Sequence, residues 1–394
     1  MKVAQLTTRY PPAPGGVERH VVELAPRLAA RRHRIEVYTS ELYREFPWER
    51  LAPDVPREET TAYGAIHRLR VWSMPGELHY TFFRGLHAAL DRDRPEIVHA
   101  HTYGTHQVAI ARRHYRRHGT PYVLTAHFHP IWSIEGGWMR RRIRAFYDGW
   151  LAAPAVRDAR ALIVQTRAEE QLVRSLGFSL PPTIIVPPGY SPRGADLADP
   201  AIFRTRFGIP DPFVLFVGRL ASNKGLLDLL EAFALLARRD RTAQLVLIGE
   251  DGGMRASLSD RARELGLGAR LHLLGHVGDP QLVDSAYRGA RVFVLPSEYE
   301  AFGLVLLEAL AQGAPVVATR VGGIPEVLGE DERAGMLVEP GSAEVLAEQI
   351  GRLWDDPTLG RQLGEYGRRT IVPRYSWDAL ADRLDALYRE IVPG

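Results

Sequence analysis

Cysteine is absent from this chain of 394 residues, which excludes disulfides and thiolate metal ligands and fits a reducing compartment. Long apolar runs are missing as well. No stretch approaches the roughly 20 apolar residues that a bilayer-spanning helix needs. The opening MKVAQLTTRYPP runs from a basic residue into polar residues and prolines, unlike the apolar core of a secretory signal, so a cytoplasmic protein is expected. Short-period repeats and low-complexity tracts are not found. Lysine is nearly absent too. Of 50 basic residues only Lys2 and Lys224 are lysines, so wherever a generic positive charge serves, the chain uses arginine.

What is present is ordinary globular composition, 45% hydrophobic and 25% charged, in a chain long enough for two domains. The net charge of +3 hides an asymmetry: residues 1–196 hold 28 basic against 19 acidic residues, and residues 197–394 hold 22 against 28. The first half is therefore the one expected to meet an anionic partner or surface. Short apolar runs alternate with turns and amphipathic helices throughout. In the first half the strand candidates are Val3–Leu6, Ile35–Thr39, Ile97–Ala100, Tyr122–Thr125, Leu162–Gln165 and Ile184–Val186. In the second they are Phe213–Val217, Leu245–Ile248, Leu271–Leu274, Val292–Leu295 and Val316–Ala318. Continuous rather than alternating apolar runs predict strands buried on both faces, hence parallel sheets covered by helices. Two such series predict two doubly wound α/β domains, 1–196 and 197–374, joined through the proline- and glycine-rich Pro187–Pro200. A final helix, about Trp377 to Ile391, has no following strand and is free to pack on either domain, the first included. Ligands of open parallel sheets bind at the carboxyl ends of the strands, so a cleft between the domains is the expected active site.

Lys224 lies in Val217-Gly-Arg-Leu-Ala-Ser-Asn-Lys-Gly225, directly after a strand. An ammonium is a compact point charge and a guanidinium a planar fork, so the two are not interchangeable around a phosphate. Arg219 and Lys224, with no acidic residue between them and glycines on both sides, suit a clamp for anionic oxygens. A solvated loop with two chance cations is the bland alternative. Gly15 and Gly16 precede a helix from Val17 to about Ala29 and would let an anion approach bare amides. A dinucleotide fingerprint is missing there, which argues against NAD. In Pro296-Ser-Glu-Tyr-Glu-Ala-Phe-Gly-Leu-Val-Leu-Leu-Glu308, Glu300 falls in the loop after a strand and Glu308 on the next helix. That helix is apolar on every side and is expected to be buried all round. Glu308 then needs hydrogen-bond donors, for which ligand hydroxyls are suitable. Amides of Phe302, Gly303 and Leu304 form the positive helix end.

The pair Glu300 and Glu308 resembles the signature of family 4 of the retaining glycosyltransferases, which have the two-domain GT-B fold. So do Gly15-Gly-Val-Glu-Arg-His20, the VGRLASNKG loop, Leu247-Ile-Gly-Glu-Asp-Gly252 and Ala314–Glu326, in the expected order over nearly the whole chain. The resemblance implies two Rossmann-like domains facing across a deep cleft, and a nucleotide-sugar donor whose diphosphate Arg219 and Lys224 hold. Glu308 would bind the ribose and Glu300 the transferred sugar. His127 would lie near the sugar's anomeric centre, Gly15 and Gly16 would approach the diphosphate, and backbone near His276 and Val277 would meet the base. Where such families commonly carry an Asn-Gly-Val-Asp-like stretch, this chain has Pro187-Pro-Gly-Tyr190, which removes the basis for inferring contacts there. The expected reaction moves a hexose, mannose favoured over UDP-linked sugars, to a hydroxyl of a lipid, glycan or small metabolite. An epimerase or phosphorylase of the same fold, or a sugar-nucleotide module without catalysis, are the alternatives.

No metal or other cofactor is expected, since two cations and a helix end already face the diphosphate. The rival reading comes from the histidines, twelve of fourteen before residue 130, with His99-x-His101 and His127-x-His129 at strand ends. Spacing of two puts each pair on one face, suited to a metal, to polar lining of a sugar cleft, or to core hydrogen bonding. Basic and aromatic residues cluster at Arg112–His118 and Trp138–Tyr147, either as solvated helix faces or as a surface for anionic lipid. Nucleic acid fits poorly, because the arginines are scattered and no binding motif accompanies them.

Overall fold

The computed structural model describes residues 1–45, 48–73, 80–128, 142, 146–177, 179–194 and 196–393. It divides into two compact units, Met1–Gly189 with Trp377–Gly394, and Tyr190–Ser376. The division at Gly189–Tyr190 falls inside Pro187–Pro200, and the C-terminal helix belongs to the first unit.

In the first unit the strands of the main sheet are β1 (Lys2–Leu6), β2 (Arg34–Ser40), β3 (Glu58–Thr61), β4 (Gly64–Leu69), β5 (Ile97–His101), β6 (Tyr122–Thr125), β7 (Ala161–Val164) and β8 (Thr183–Ile185), beside two small hairpins, Leu42–Arg44 with Glu49–Arg50 and Val71–Ser73 with Thr81–Phe83. The main sheet is eight-stranded in the order β8-β7-β6-β5-β1-β2-β4-β3, parallel except for the β3–β4 hairpin at its edge. Successive side chains alternate between faces, so each strand supplies two cores. One face, with Leu6, Val98, Leu124 and Val164, packs on α2 (Leu86–Asp93) and α3 (His106–His118). The other, with Val3, Ile35, Val37, Ile97 and Val123, is covered by α1 (Gly16–Ala30) and the C-terminal helix Trp377–Ile391. In α1 the buried Val21, Leu24, Ala25 and Leu28 recur at helical spacing and face Leu380, Leu384 and Tyr388 in the same cluster. A further short helix, α4 (Arg167–Arg174), follows β7 and is capped by Thr166, whose hydroxyl accepts from Glu169 N at 3.0 Å.

The second unit has β9 (Phe213–Val217), β10 (Gln244–Ile248), β11 (Leu271–Gly275), β12 (Val292–Leu295), β13 (Val316–Thr319) and β14 (Met336–Val338), all parallel, in the order β11-β10-β9-β12-β13-β14. The order reverses direction at β9, the switch point of a doubly wound sheet. Helices α5 (Leu226–Arg239) and α6 (Leu304–Ala311) follow β9 and β12 and bury Leu229, Phe233, Leu306 and Leu310 against them.

The expected strands all form, within a residue or two at their ends. The hairpin β3–β4 and strand β14 were not expected, because Glu58-Glu-Thr-Thr61 is polar throughout and Met336–Val338 is three residues long. One expectation about α6 is corrected. The helix is not buried all round: Leu304 is 41% exposed at its first turn and Glu308 is only half-buried. Among the described residues no helix is long and apolar enough to cross a membrane.

Candidate functional site

In the second unit the carboxyl ends of β9, β12 and β13 converge on Glu300. The loop after β9 is short-turned at Gly225, whose φ is 60° and where a Cβ would sit 2.0 Å from the carbonyl oxygen of Pro296. Only glycine allows that approach. Glu298 N donates to Asn223 O at 3.0 Å, joining the two loops a second time. From the other side Gly322, with φ 52°, would drive a Cβ to 1.7 Å from Glu300 O, and Gly323 N donates to the same oxygen at 3.1 Å. Three loops of apparently unrelated sequence are thus one backbone unit. Lys224, ending a single 3-10 turn, donates from Nζ to Glu300 Oε2 at 2.7 Å. Ser297 Oγ lies 3.5 Å from that oxygen, and Thr319 Oγ1 donates to Ser297 O at 2.5 Å.

Arg219 lies in the loop after β9 and is exposed, with no ion pair among the described residues. Phe302 is buried and meets Tyr375 edge-on at 5.4 Å between ring centres. Gly303 is the left-handed N-cap of α6 (φ 88°), and Leu304 begins the helix with its side chain in solvent. His276 is exposed and Val277 half-buried, just past the end of β11.

Glu308 is met by two protein donors. Arg193 Nη2 donates to Oε1 at 3.0 Å and the Tyr287 hydroxyl to Oε2 at 3.1 Å. Arg193 Nη1 also pairs with Asp284. Sequence reasoning missed this group. Arg193 lies 115 residues from Glu308 in a segment read only as linker, and nothing in its neighbours signals the contact. Burial beside the Glu308 carboxylate pushes the Tyr287 hydroxyl well up, so it stays a donor.

Gly15, Gly16 and His127 belong to the first unit. Gly15 caps α1 and Gly16 begins it, both exposed. A Cβ on Gly15 would meet the carboxylate of Glu18, which is itself paired with Arg9 at 2.9 Å. His127 follows β6 with a φ of 43°, an uncommon conformation for a residue with a side chain. The loop around it is held by Glu169, which accepts from Phe128 N at 2.6 Å and from Gln165 N at 2.5 Å. Burial pushes the Glu169 carboxyl up to about 7, with the two amides pulling the other way.

The register of the sheet explains the histidines. Gln5 on β1 is opposite His99 on β5, and His101 is opposite Thr125 on β6. All four point to the face covered by α1 and the C-terminal helix, at the carboxyl end of the strands. His99 and His101 are buried and stacked, 4.2 Å between ring centres, and both bond to protein groups. The pair is therefore core hydrogen bonding. His129 lies outside the described residues. His20 of α1 is buried edge-on against His101, His127 and Trp377, and burial lowers it to about 4.

Among the described residues one group gathers metal-ligand atoms, Asp91 on α2 with His114 and His118 on α3. His114 Nδ1 and His118 Nε2 lie 3.1 and 2.9 Å from the same carboxylate oxygen, and Arg117 lies 3.3 Å from the other. A cation on Nδ1 would force the His114 proton onto Nε2, which is buried without a partner. Metal-bound histidines normally donate that proton. The cluster fits an ion-paired helix contact better than a metal centre. These contacts also engage half of the basic face at Arg112–His118, and Arg112 itself pairs with Asp158 at 2.7 Å. Of Trp138–Tyr147, only Arg142, Phe146 and Tyr147 are described. Phe146 is 62% and Trp150 74% exposed, stacked on each other at 5.5 Å.

Two family models match the chain: one described as glycosyl transferases group 1, over residues 201–370, and one described as glycosyltransferase family 4, over residues 14–193. A D-inositol 3-phosphate glycosyltransferase of Saccharomonospora viridis is 33% identical, over 95% of this chain and 89% of its own length. An MMP alpha-(1->4)-mannosyltransferase of Mycolicibacterium hassiacum is 30% identical, over 100% of this chain and 98% of its own. Among solved structures, sucrose-phosphate synthase from Thermosynechococcus elongatus is similar, with a TM-score of 0.74, 26% identity, and coverage of 99% of this chain and 98% of that one.

Proposed function

We propose, for a chain that belongs to the group 1, family 4 glycosyltransferases, that it transfers a hexose from a nucleoside diphosphate sugar with retention and without a metal ion. The GT-B fold, with its two Rossmann-like units, is the scaffold. What carries the reading is the Lys224–Glu300 contact at 2.7 Å on three interlocked loops. It sets an ammonium and a carboxylate side by side at the carboxyl ends of parallel strands, where a diphosphate and the hydroxyls of its sugar need opposite partners.

In this proposal Lys224 and Arg219 hold the departing diphosphate, and the amides of Phe302, Gly303 and Leu304 at the start of α6 add positive potential. Glu300 accepts from sugar hydroxyls and Glu308 from the ribose. Backbone at His276 and Val277 meets the base, and the family resemblance supports Gly15, Gly16 and His127 of the first unit as further donor-binding residues. The glycosidic bond to the diphosphate breaks, the acceptor oxygen bonds to the anomeric carbon from the same face, and the acceptor's proton passes to the released diphosphate. No carboxylate nucleophile is invoked, because Glu300 is held by Lys224. Mannose as the transferred sugar is supported by the similarity to the mannosyltransferase of Mycolicibacterium hassiacum. The acceptor is a hydroxyl compound, and the exposed Phe146–Trp150 stack on the basic unit supports a lipid-linked one met at an anionic membrane surface.

Thermal shift against GDP-mannose, UDP-glucose and UDP-N-acetylglucosamine tests the donor. A true donor at 100 times its Kd stabilises by about 2.7 kcal/mol, and GDP-mannose is expected to give the largest rise. Product NMR then reads the anomer. Inversion would refute the mechanism, and no response to any nucleotide sugar would refute the site. Vesicles with and without anionic lipid at low salt test the membrane surface, which is refuted by binding to neither or by equal binding to both.

A further inference from the structure

A continuous hydrogen-bond chain runs from Gln165 through His127 to the C-terminal helix and back into the sheet. Gln165 Nε2 lies 3.0 Å from His127 Nδ1, and His127 Nε2 lies 3.4 Å from His101 Nδ1, the longest link. His101 Nε2 is 2.8 Å from Gln5 Oε1, and Gln5 Nε2 donates to the Tyr388 hydroxyl at 3.2 Å. That hydroxyl is 2.5 Å from His99 Nδ1, and His99 Nε2 is 2.6 Å from Thr125 Oγ1. Gln5, His99, His101, Thr125 and Tyr388 are all buried.

A neutral imidazole has one donor nitrogen and one acceptor nitrogen, so fixing the role of one fixes the other. Burial keeps the His99 and His101 rings neutral, holding His99 down at about 3 and His101 well below its ordinary value. The Gln5 amide turns its oxygen to His101, so His101 Nε2 donates and its Nδ1 accepts. His127 Nε2 must then donate and its Nδ1 accept, which matches the Gln165 amide nitrogen facing it. On the other side Tyr388, accepting from Gln5, passes its proton toward His99 Nδ1 and leaves His99 Nε2 to donate to Thr125. All three histidines carry the proton on Nε2. The opposite sense needs both amides turned over and would move all three protons to Nδ1. A mixed pattern breaks the chain inside the core, where an unpaired polar group is costly.

We propose that Gln5 and Tyr388 are positioning residues for His127, setting through His101 which of its ring nitrogens carries the proton. The consequence for activity rests on the reading that places His127 in the donor site. The tautomer claim does not. Nitrogen-15 NMR of the histidine rings in the intact protein, with assignments from single substitutions, reads it directly and without substrate. Wild type is expected to show Nε2 protonated in His99, His101 and His127 alike. Tyr388→Phe removes one oxygen and is expected to disturb all three. Gln5→Met cuts the chain between Tyr388 and His101, so His101 and His127 lose their preference while His99, still receiving from Tyr388, keeps it. Either variant should lower kcat about tenfold, roughly what one neutral hydrogen bond is worth, with the donor KM within about twofold. Opposite tautomers among the three wild-type rings would overturn the proposal, and so would a His127 signal unchanged in both variants. Should Tyr388→Phe not fold, the wild-type pattern and Gln5→Met decide. A His127→Ala enzyme with undiminished transfer would instead refute the donor-site reading and leave the tautomer result standing.

Discussion

Replacing Lys224 by methionine keeps the length of the stem and removes only the charge. In the structure Nζ sits 2.7 Å from Glu300 Oε2, with the two side chains 19% and 17% exposed. At that separation the gross Coulomb term is about 6 kcal/mol for an effective dielectric of about 20, and desolvation cancels most of it. Loss of the pair should therefore cost the fold only about 1–2 kcal/mol, a few degrees in the melting of a unit this size. The effect on transfer should be larger. An ammonium placed against the charge that grows on a leaving diphosphate is worth about 3 kcal/mol, or 10²–10³ in kcat/KM. Steady-state rates with the donor varied, alongside melting curves, separate the two. Lys224→Arg keeps the charge but replaces a point with a fork, so partial activity is expected. Combining Lys224→Met with Glu300→Gln asks whether the lysine acts only by orienting the glutamate. If so, the double variant is no slower than Glu300→Gln alone. A Lys224→Met enzyme within threefold of wild type would end the diphosphate reading.

Three further outcomes follow from the geometry. Glu169 has its folded pKa raised by burial from 4.5 to about 7, so its contribution is fully present below about 4.5 and is lost as pH rises through 7. Denaturation at pH 5 and 8 should show wild type losing on the order of 3 kcal/mol relative to Glu169→Gln over that interval, and a pH-independent difference would contradict the assignment. Arg193→Ala strips Asp284 and Glu308 of their shared guanidinium. Because Arg193 is itself a third exposed, a loss of about 2 kcal/mol is expected in the unfolding of the second unit, and unchanged melting would mean the pairs contribute nothing. Gly322→Ala forces a Cβ toward Glu300 O at a left-handed φ, so a cost of at least about 2 kcal/mol together with weakened donor binding is expected. Normal stability and kinetics in that variant would remove Gly322 from the site.

Much of this fold is legible in the sequence because parallel strands buried on both faces leave continuous apolar runs. The runs at Phe213–Val217 and Tyr122–Thr125 coincide with their strands at both ends. Polar edge elements such as Glu58–Thr61 leave no such trace. Glu300 and Lys224 were singled out from the sequence as chemistry, while Gly225 was read as letting backbone approach a ligand and in the structure lets it approach Pro296. Long-range polar pairing was not legible. Glu308 was read as needing donors, with ligand hydroxyls suitable, and the protein donors Arg193 and Tyr287 went unnamed, since no local pattern records which distant side chain a fold brings near. The apolar run of α6 misled for a related reason. Burial of Leu304 depends on what packs over the first turn, and nothing in the helix specifies that.

The first unit closes only with Trp377–Ile391, the last helix in the chain, whereas the second is continuous from Tyr190 to Ser376. On the ribosome the order of completion is therefore inverted. The later-encoded unit has all of its strands while the earlier one still lacks the helix that covers Val3, Ile35 and Ile97 and supplies Tyr388. A nascent chain stalled before residue 377 would expose that apolar face to chaperones and proteases, and a frameshift just before codon 377 would damage the half of the protein encoded first.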